Sequence, residues 1–297
     1  MPVDTGWQER AMRQLARMAM QLGAWLAVVL PAAALALAPV QLCSGQAVTP
    51  GADGRLLGHI PYAEAPAGEL VPVIPFGIGK PCLMQREPAA DIVRLVAAAR
   101  VAGFAGAFRG LSCFRSISYQ RTIFCSKIGP GRACRDAAER ARSSAPPGYS
   151  EHATGFALDI AVGPLTAACR NVLNDCIADL PAGRWLLAHA AEFGFELSFP
   201  NGNVQGMMYE PWHWRWVGAT PDTPGATRAR SLFAFARANF PAAPGIPEIH
   251  LPPIWLNALG QPAPVPSPNP GGGGWVGRIE VYAGGGGRRS GWLGREK

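Results

Sequence analysis

The chain has 297 residues, enough for one sizeable domain or two small ones, with 27 Lys and Arg against 20 Asp and Glu. Only 16% of its residues are charged, while glycine (36) and proline (29) are abundant, so a globular domain with loose appendages fits better than one compact body. The formal charge of +7 favours an anionic surface, but the basic residues are scattered and no nucleic-acid-binding motif accompanies them, so no nucleic-acid partner is expected.

Taken from the N-terminus, Arg10, Arg13 and Arg17 precede an apolar, uncharged run from about Leu22 to Val40. A positive flank before such a run is the layout of an export signal, and the run is almost long enough to span a bilayer. Pro31 and Pro39 interrupt it, and Gly45-Gln46-Ala47 offers a small-residue cleavage site that would remove Cys43. Residues 1–47 are therefore assigned as an export signal or a membrane anchor, the anchor providing a tether if it is kept. Residues 48–81 are rich in proline and glycine without a clear period and read as a linker and approach segment, with His59 solvated.

Helical spacing of Ile92, Leu95, Val96 and Ala99 predicts a helix from Glu87 to Ala102, ended by Gly103. A strand follows over Phe104–Phe114, then a helix to about Ile123. The arginine-rich stretch Gly129–Ser144 is partly helical and closes at Ala145-Pro146-Pro147-Gly148. Phe156–Val162 alternates as a strand, Thr166–Leu180 is an irregular excursion, and Ala182–Phe193 is a helix ended by Gly194. His189, inside that helix among Leu186, Leu187 and Ala190, reads as a residue packed at the core edge.

Phe195–Phe199 and Pro211–Val217 read as two strands of a hairpin, with Trp212, Trp214 and Trp216 on one face as core packing. Arg228–Asn239 is a final amphipathic helix. From Pro241 the composition turns proline- and glycine-rich, so 241–297 is a disordered tail; its glycine runs lack the Lys-Ser/Thr of a phosphate loop, and His250 is given no role. The fold class expected is α+β: a small, mostly antiparallel sheet flanked by helices in residues 82–240, with disordered N- and C-terminal extensions.

Seven cysteines, at 43, 82, 113, 125, 134, 169 and 176, include no Cys-x-x-Cys pair. Spread cysteines in an exported chain usually form disulfides. Sequence proximity suggests Cys169–Cys176 and Cys125–Cys134, leaving Cys82–Cys113 and setting Cys43 apart, though sequence alone does not fix the connectivity.

The chemistry concentrates in Ser150-Glu151-His152-Ala153-Thr154-Gly155-Phe156-Ala157-Leu158-Asp159 and in Glu210-Pro211-Trp212-His213. Two imidazoles and a carboxylate, from His152, Asp159 and His213, suit a catalytic Zn2+ that keeps one position open for water. Glu210, three residues before the second imidazole, is left free to act as a base. Gly155 and Ala157 fit a crowded wall where larger side chains would block the site.

These residues fill every fixed position of a Ser-x-His-x-x-Gly-x-Ala-x-Asp motif, and Glu210 to Val217 fill a Glu-x-x-His motif followed by aromatic and basic residues. From about Leu83 to Val217 the chain resembles the D-alanyl-D-alanine carboxypeptidase family of vancomycin-resistance type, zinc peptidases of the Hedgehog/DD-peptidase fold. Phe114-Arg115-Ser116 with Gln120 is similar to the family's Tyr-Arg-Ser segment followed by Gln. The resemblance implies one zinc per chain, Arg115 reaching into the active site to stabilise the oxyanion, and Ser150 and Gln120 as candidate substrate contacts. It also implies removal of the terminal D-Ala from a peptidoglycan stem peptide; the protein is expected to be a monomer, and the N-terminal segment to place it in the periplasm or at the cell surface. An endopeptidase of the same fold and a non-catalytic, zinc-containing wall-binding module are the alternatives. Ser198 stands where a common family form has arginine.

Overall fold

The computed structural model describes residues 38–247. Its strands are β1 (Val40–Cys43), β2 (Gln46–Val48), β3 (Leu70–Val73), β4 (Cys82–Gln85), β5 (Phe108–Ser112), β6 (Ala157–Val162), β7 (Phe195–Leu197) and β8 (His213–Trp216). Its helices are α1 (Arg86–Val101), α2 (Ile117–Cys125), α3 (Ala137–Ala141), α4 (Pro181–His189), α5 (Ala226–Leu232) and α6 (Ala234–Asn239). Among the described residues these form a four-stranded sheet ordered β5-β6-β8-β7 and two separate ribbons, β1-β2 and β3-β4. Every named strand pair is antiparallel, and the architecture is the α+β class expected.

The main core lies between α1 and the four-stranded sheet. Ile92, Leu95 and Ala99 form the buried stripe of α1, and Gly103, at φ 90°, takes the left-handed conformation that stops the helix. Strand β8 alternates as its sequence predicts. Trp214 and Trp216 are fully buried, and the Trp216 indole donates to the buried Asp91 of α1 at 2.8 Å. Trp212 lies ahead of the strand, only partly buried. The helix expected over Ala182–Phe193 is α4 continued by a 3-10 turn at Ala190–Phe193, and Gly194 ends it in the left-handed region at φ 84°. His189 pairs with Glu192 at 2.8 Å and stacks on Trp185. The last predicted helix divides into α5 and α6 at Phe233, a fully buried ring whose backbone leaves helical geometry.

The N-terminal boundary differs from the one expected. Residues 40–48 are a hairpin, and Leu42 and Leu56 pack with Phe124, Ala137 and Ala141 in a satellite core. The hairpin lays Cys43 against the end of α2, where it forms a disulfide with Cys125 at a Cα–Cα distance of 5.6 Å. Cys125–Cys134 is thus not a bridge: Cys134 is a free, buried thiol, and Cys43 does not stand apart. Cys82–Cys113 and Cys169–Cys176 are bonded. Nearness in sequence misled because the partner of Cys125 arrives from 82 residues away, brought by burial of the hairpin's apolar face.

Nor is 48–81 a plain linker. Its strand β3 pairs with β4 from Leu70↔Gln85 to Val73↔Cys82, and Tyr62, Val73 and Phe76 enter the main core. Among the described residues no helix is long and apolar enough to cross a membrane. The apolar run Leu22–Val40 lies outside the described residues except for its last three positions, as do His250 and the glycine-rich tail.

Candidate metal centre and active site

The sheet register brings the candidate ligands together. Asp159 on β6 stands directly opposite His213 on β8, and on its other side β5 ends at Ser112, also paired with Asp159. The 3-10 turn Glu151–Thr154 delivers His152 to the same place, where Gly155 at φ 72° turns the chain into β6. A Cβ at Gly155 would meet Leu70 Cδ2 at 2.7 Å and Gln85 Cγ at 3.3 Å. The crowding that demands glycine there comes from the β3-β4 ribbon, and not from the metal site as expected.

One ligand atom from each of His152, Asp159 and His213 lies within 4.8 Å of the others, and all three residues are buried. Each imidazole is held by one nitrogen in a way that leaves the other for the cluster. His152 Nδ1 donates to the carbonyl of Cys113 at 2.7 Å, leaving Nε2 buried without a hydrogen-bond partner, 3.2 Å from Asp159 Oδ1. His213 Nε2 contacts Glu151 Oε2 at 2.9 Å, and its Nδ1 faces Asp159 Oδ1 at 3.0 Å. An orphaned imidazole nitrogen, a second imidazole nitrogen and a carboxylate oxygen in so small a volume fit a divalent metal, with carbonyl and carboxylate supports on the far side of each ring. Burial pushes His152 down to about 4, so it is a neutral, metal-competent imidazole at neutral pH. His213 is penalised by the same burial, yet the carboxylates of Asp159 and Glu151 raise it to about 10, a demand for positive charge between them.

Glu151 adjoins the cluster as well, a placement that the sequence alone did not single out. It is buried, accepts from Ser198 Oγ at 2.6 Å and Arg215 Nη1 at 3.0 Å, and supports His213. Arg215 in turn donates to Glu196 at 2.7 Å. Burial works to raise the Glu151 pKa, but the Arg215 guanidinium and His213 hold it at about 2. Two signals were available: an acid beside the first imidazole, and an arginine two positions beyond the second on the same strand face. Ser198, in place of the arginine of a common family form, serves this carboxylate.

Glu210 lines the cleft, three residues before His213, and its side chain has no hydrogen-bond partner among the described residues. Burial raises its pKa to about 7. Arg115 reaches the same cleft from the turn after β5, donating through Nη1 to Ser112 Oγ at 2.9 Å and Asp159 Oδ2 at 3.3 Å. Ser150 is buried on the cleft wall. Gln120 is not on that wall: it is fully buried behind it, and its amide donates to Ala145 O at 2.7 Å and Ser144 Oγ at 3.2 Å. His59, expected to be solvated, is buried and lines the cleft, its Nε2 donating to the carbonyl of Ala141 at 2.8 Å. The cleft encloses about 330 Å3 and gathers His59, Tyr62, Arg115, Arg140, Glu210 and Trp212 around the three candidate ligands.

Residues 82–219 match the family described as VanY, D-alanyl-D-alanine carboxypeptidase. The chain is 30% identical over 136 residues to the protein YodJ of Bacillus subtilis (strain 168), covering 45% of this chain and 46% of that one. It is 39% identical over 75 residues to a D-alanyl-D-alanine carboxypeptidase of Enterococcus faecium, covering 25% of this chain and 22% of that one. It thus spans less than half the length of these curated relatives. A solved structure of the vancomycin-resistance D,D-pentapeptidase VanY in complex with Zn(II) overlaps 58% of this chain and 93% of its own, at 24% identity and a TM-score of 0.40. Residues 82–219, which carry His152, Asp159, Glu210 and His213, are thus similar to the VanY family of D-alanyl-D-alanine carboxypeptidases.

Proposed function

We propose that this protein is a zinc-dependent D-alanyl-D-alanine carboxypeptidase that removes the terminal D-Ala from peptidoglycan stem peptides. One observation carries the reading: the buried donors of His152, Asp159 and His213 converge beside an acid, Glu210, whose side chain no hydrogen bond engages among the described residues. Three protein ligands with a separate acid nearby is the arrangement of a catalytic rather than a structural zinc. The match of residues 82–219 to the VanY family model supports the substrate class.

His152, Asp159 and His213 would hold the metal, which when bound supplies a water whose pKa is lowered to about 7 and Lewis acidity toward the scissile carbonyl. Asp159, engaged as a ligand and by Arg115, is not free to move protons. Glu210 is, and a carboxyl raised to about 7 by burial is suited to taking a proton from the attacking water and returning it to the departing amine near neutral pH. Arg115 lines the cleft, fixed by Ser112 and Asp159, and its guanidinium would stabilise charge developing on the substrate carbonyl oxygen. Glu151 holds the His213 ring in the orientation that presents Nδ1. The positive N-terminal flank and apolar run support export to the periplasm or cell surface, where this polymer lies.

The test is to incubate the zinc-loaded protein with a stem pentapeptide ending in D-Ala-D-Ala, beside a zinc-replete Glu210→Gln variant, and follow the products by mass. Loss of one alanine by the parent and not by the variant is expected. An intact pentapeptide with zinc bound would overturn the assignment.

A further inference from the structure

Arg140, in the last turn of α3, lies on the cleft wall, and the catalytic scheme makes no use of it. Arg115 contacts Asp159, and Arg215 contacts Glu151 and Glu196. Arg140 pairs with no carboxylate among the described residues. Its Nη1 donates to Ser143 Oγ at 3.0 Å, and its Nε is buried without a hydrogen-bond partner. It is half-buried, and close enough to the reacting groups for the charges of Arg115 and Glu210 to act on it. A guanidinium partly withdrawn from water without an acid keeps a desolvation cost that an anionic ligand would relieve. Its planar fork matches a carboxylate in two-point geometry.

The segment bearing Arg140 is tethered from three directions. His59 Nε2 donates to Ala141 O at 2.8 Å, the Met208 amide donates to Arg142 O at 3.0 Å, and Gln120 Nε2 donates to Ala145 O at 2.7 Å. The buried residues His59 and Gln120 thereby acquire a purpose, since a receptor held in place before binding loses less freedom when the ligand arrives.

We propose that Arg140 is the receptor for the free C-terminal carboxylate of the peptide substrate, so that the cleft selects chain ends over internal bonds. The inference deepens the carboxypeptidase reading and rests on it for the identity of the ligand. A charge-assisted contact of this kind corresponds to about 10- to 100-fold in binding.

The experiment compares N-acetyl-D-Ala-D-Ala, whose only carboxylate is the terminal one, with its C-terminal amide. Binding of each to the zinc-loaded Glu210→Gln protein is measured by calorimetry with Arg140 intact, with Arg140→Ala and with Arg140→Lys. Arg140→Gln replaces the alanine variant if that one does not fold. Turnover of both peptides is then measured in the Glu210 background. The intact protein should prefer the acid about 10- to 100-fold; Arg140→Ala should erase the preference by weakening the acid alone, and Arg140→Lys should restore part of it. In turnover the loss should fall on KM more than on kcat, because the contact is present before and during reaction. No acid preference in the intact protein, its persistence in Arg140→Ala, or its loss only in Arg115→Ala would each overturn the proposal. A protein that cleaves neither peptide but keeps an Arg140-dependent preference retains this inference and loses the catalytic reading. One that cleaves the acid equally well with Arg140→Ala keeps the catalytic reading and loses this inference.

Discussion

Replacing Glu151 by Gln tests whether the metal centre is supported from behind as its geometry requires. Glu151 uses Oε2 for His213 and Ser198 and Oε1 for Arg215, all from a buried position. The amide has one acceptor oxygen where the carboxylate has two, so either His213 or Arg215 then meets an N–H donor. Two separable costs follow. Uncoupling a buried ion pair by removing one charge costs about 3–5 kcal/mol, with the isosteric amide near the lower end, and this appears as destabilisation of the metal-free protein. Losing the carboxylate behind a ligating imidazole costs about 10- to 100-fold in metal affinity, or about 1.4–2.8 kcal/mol. At fixed free zinc well above the dissociation constant, this second cost narrows the gap between metal-free and zinc-bound stability. Denaturant unfolding with and without zinc, together with competition for the metal by a chromophoric chelator, measures both. A variant whose zinc affinity stays within about threefold of the parent would refute the argument that Glu151 presents His213 to the metal.

Five further outcomes are expected. Because Glu151 is held at about 2, below its ordinary 4.5, its stabilising contribution is full above pH 4.5 and is lost as pH falls through about 2. Acid unfolding of the metal-free Glu151→Gln variant should therefore show a shallower loss across that window; an unchanged slope would contradict the assignment. With Glu210 raised to about 7 by burial, kcat/KM should decline as pH falls and the carboxylate is protonated, with the midpoint below 7 once a dication sits nearby, and this limb should vanish in Glu210→Gln along with about 10²–10⁴ of the rate. Cys43→Ser opens a loop with a sequence separation of 82, worth about 4–5 kcal/mol by chain entropy, and denaturant melts should register most of it. Thiol titration of the denatured, unreduced protein should find one free thiol, Cys134, in the parent. Gly155→Ala forces a side chain into left-handed backbone and against Leu70, so a loss of about 1–2 kcal/mol or more in urea unfolding is expected.

The convergence of His152, Asp159 and His213, the candidate metal ligands, was legible because their chemistry is written locally, as short spacings, and because β6 and β8 reveal by alternation which face carries them. Helix α1 was legible for the same reason, since its buried stripe repeats at helical spacing. What escaped depends on contacts between segments far apart in the chain. Glu151 meets Arg215 from 64 residues away, and nothing local separates it from a solvated acid. His59 sits in an irregular segment whose burial comes from α3, 82 residues on. Cys43 was misplaced because the apolar run from Leu22 continues into a short hairpin, and periodicity does not mark where the hairpin begins. Gln120 resembled a substrate contact by its place in a motif, whereas the fold uses its amide to brace a loop.

The pairing of Asp159 with His213 also bears on how the protein comes to be finished. Two of the three donors arrive within one turn and strand, but the third is 54 residues further along and reaches them only when β8 has docked on β6 in the correct register. Because side chains alternate along a strand, a slip of one residue would turn a tryptophan toward the cluster and bury the imidazole in its place. Tight metal uptake therefore cannot precede correct docking of these strands. A chain that closed its sheet out of register would lack the three-donor cluster altogether.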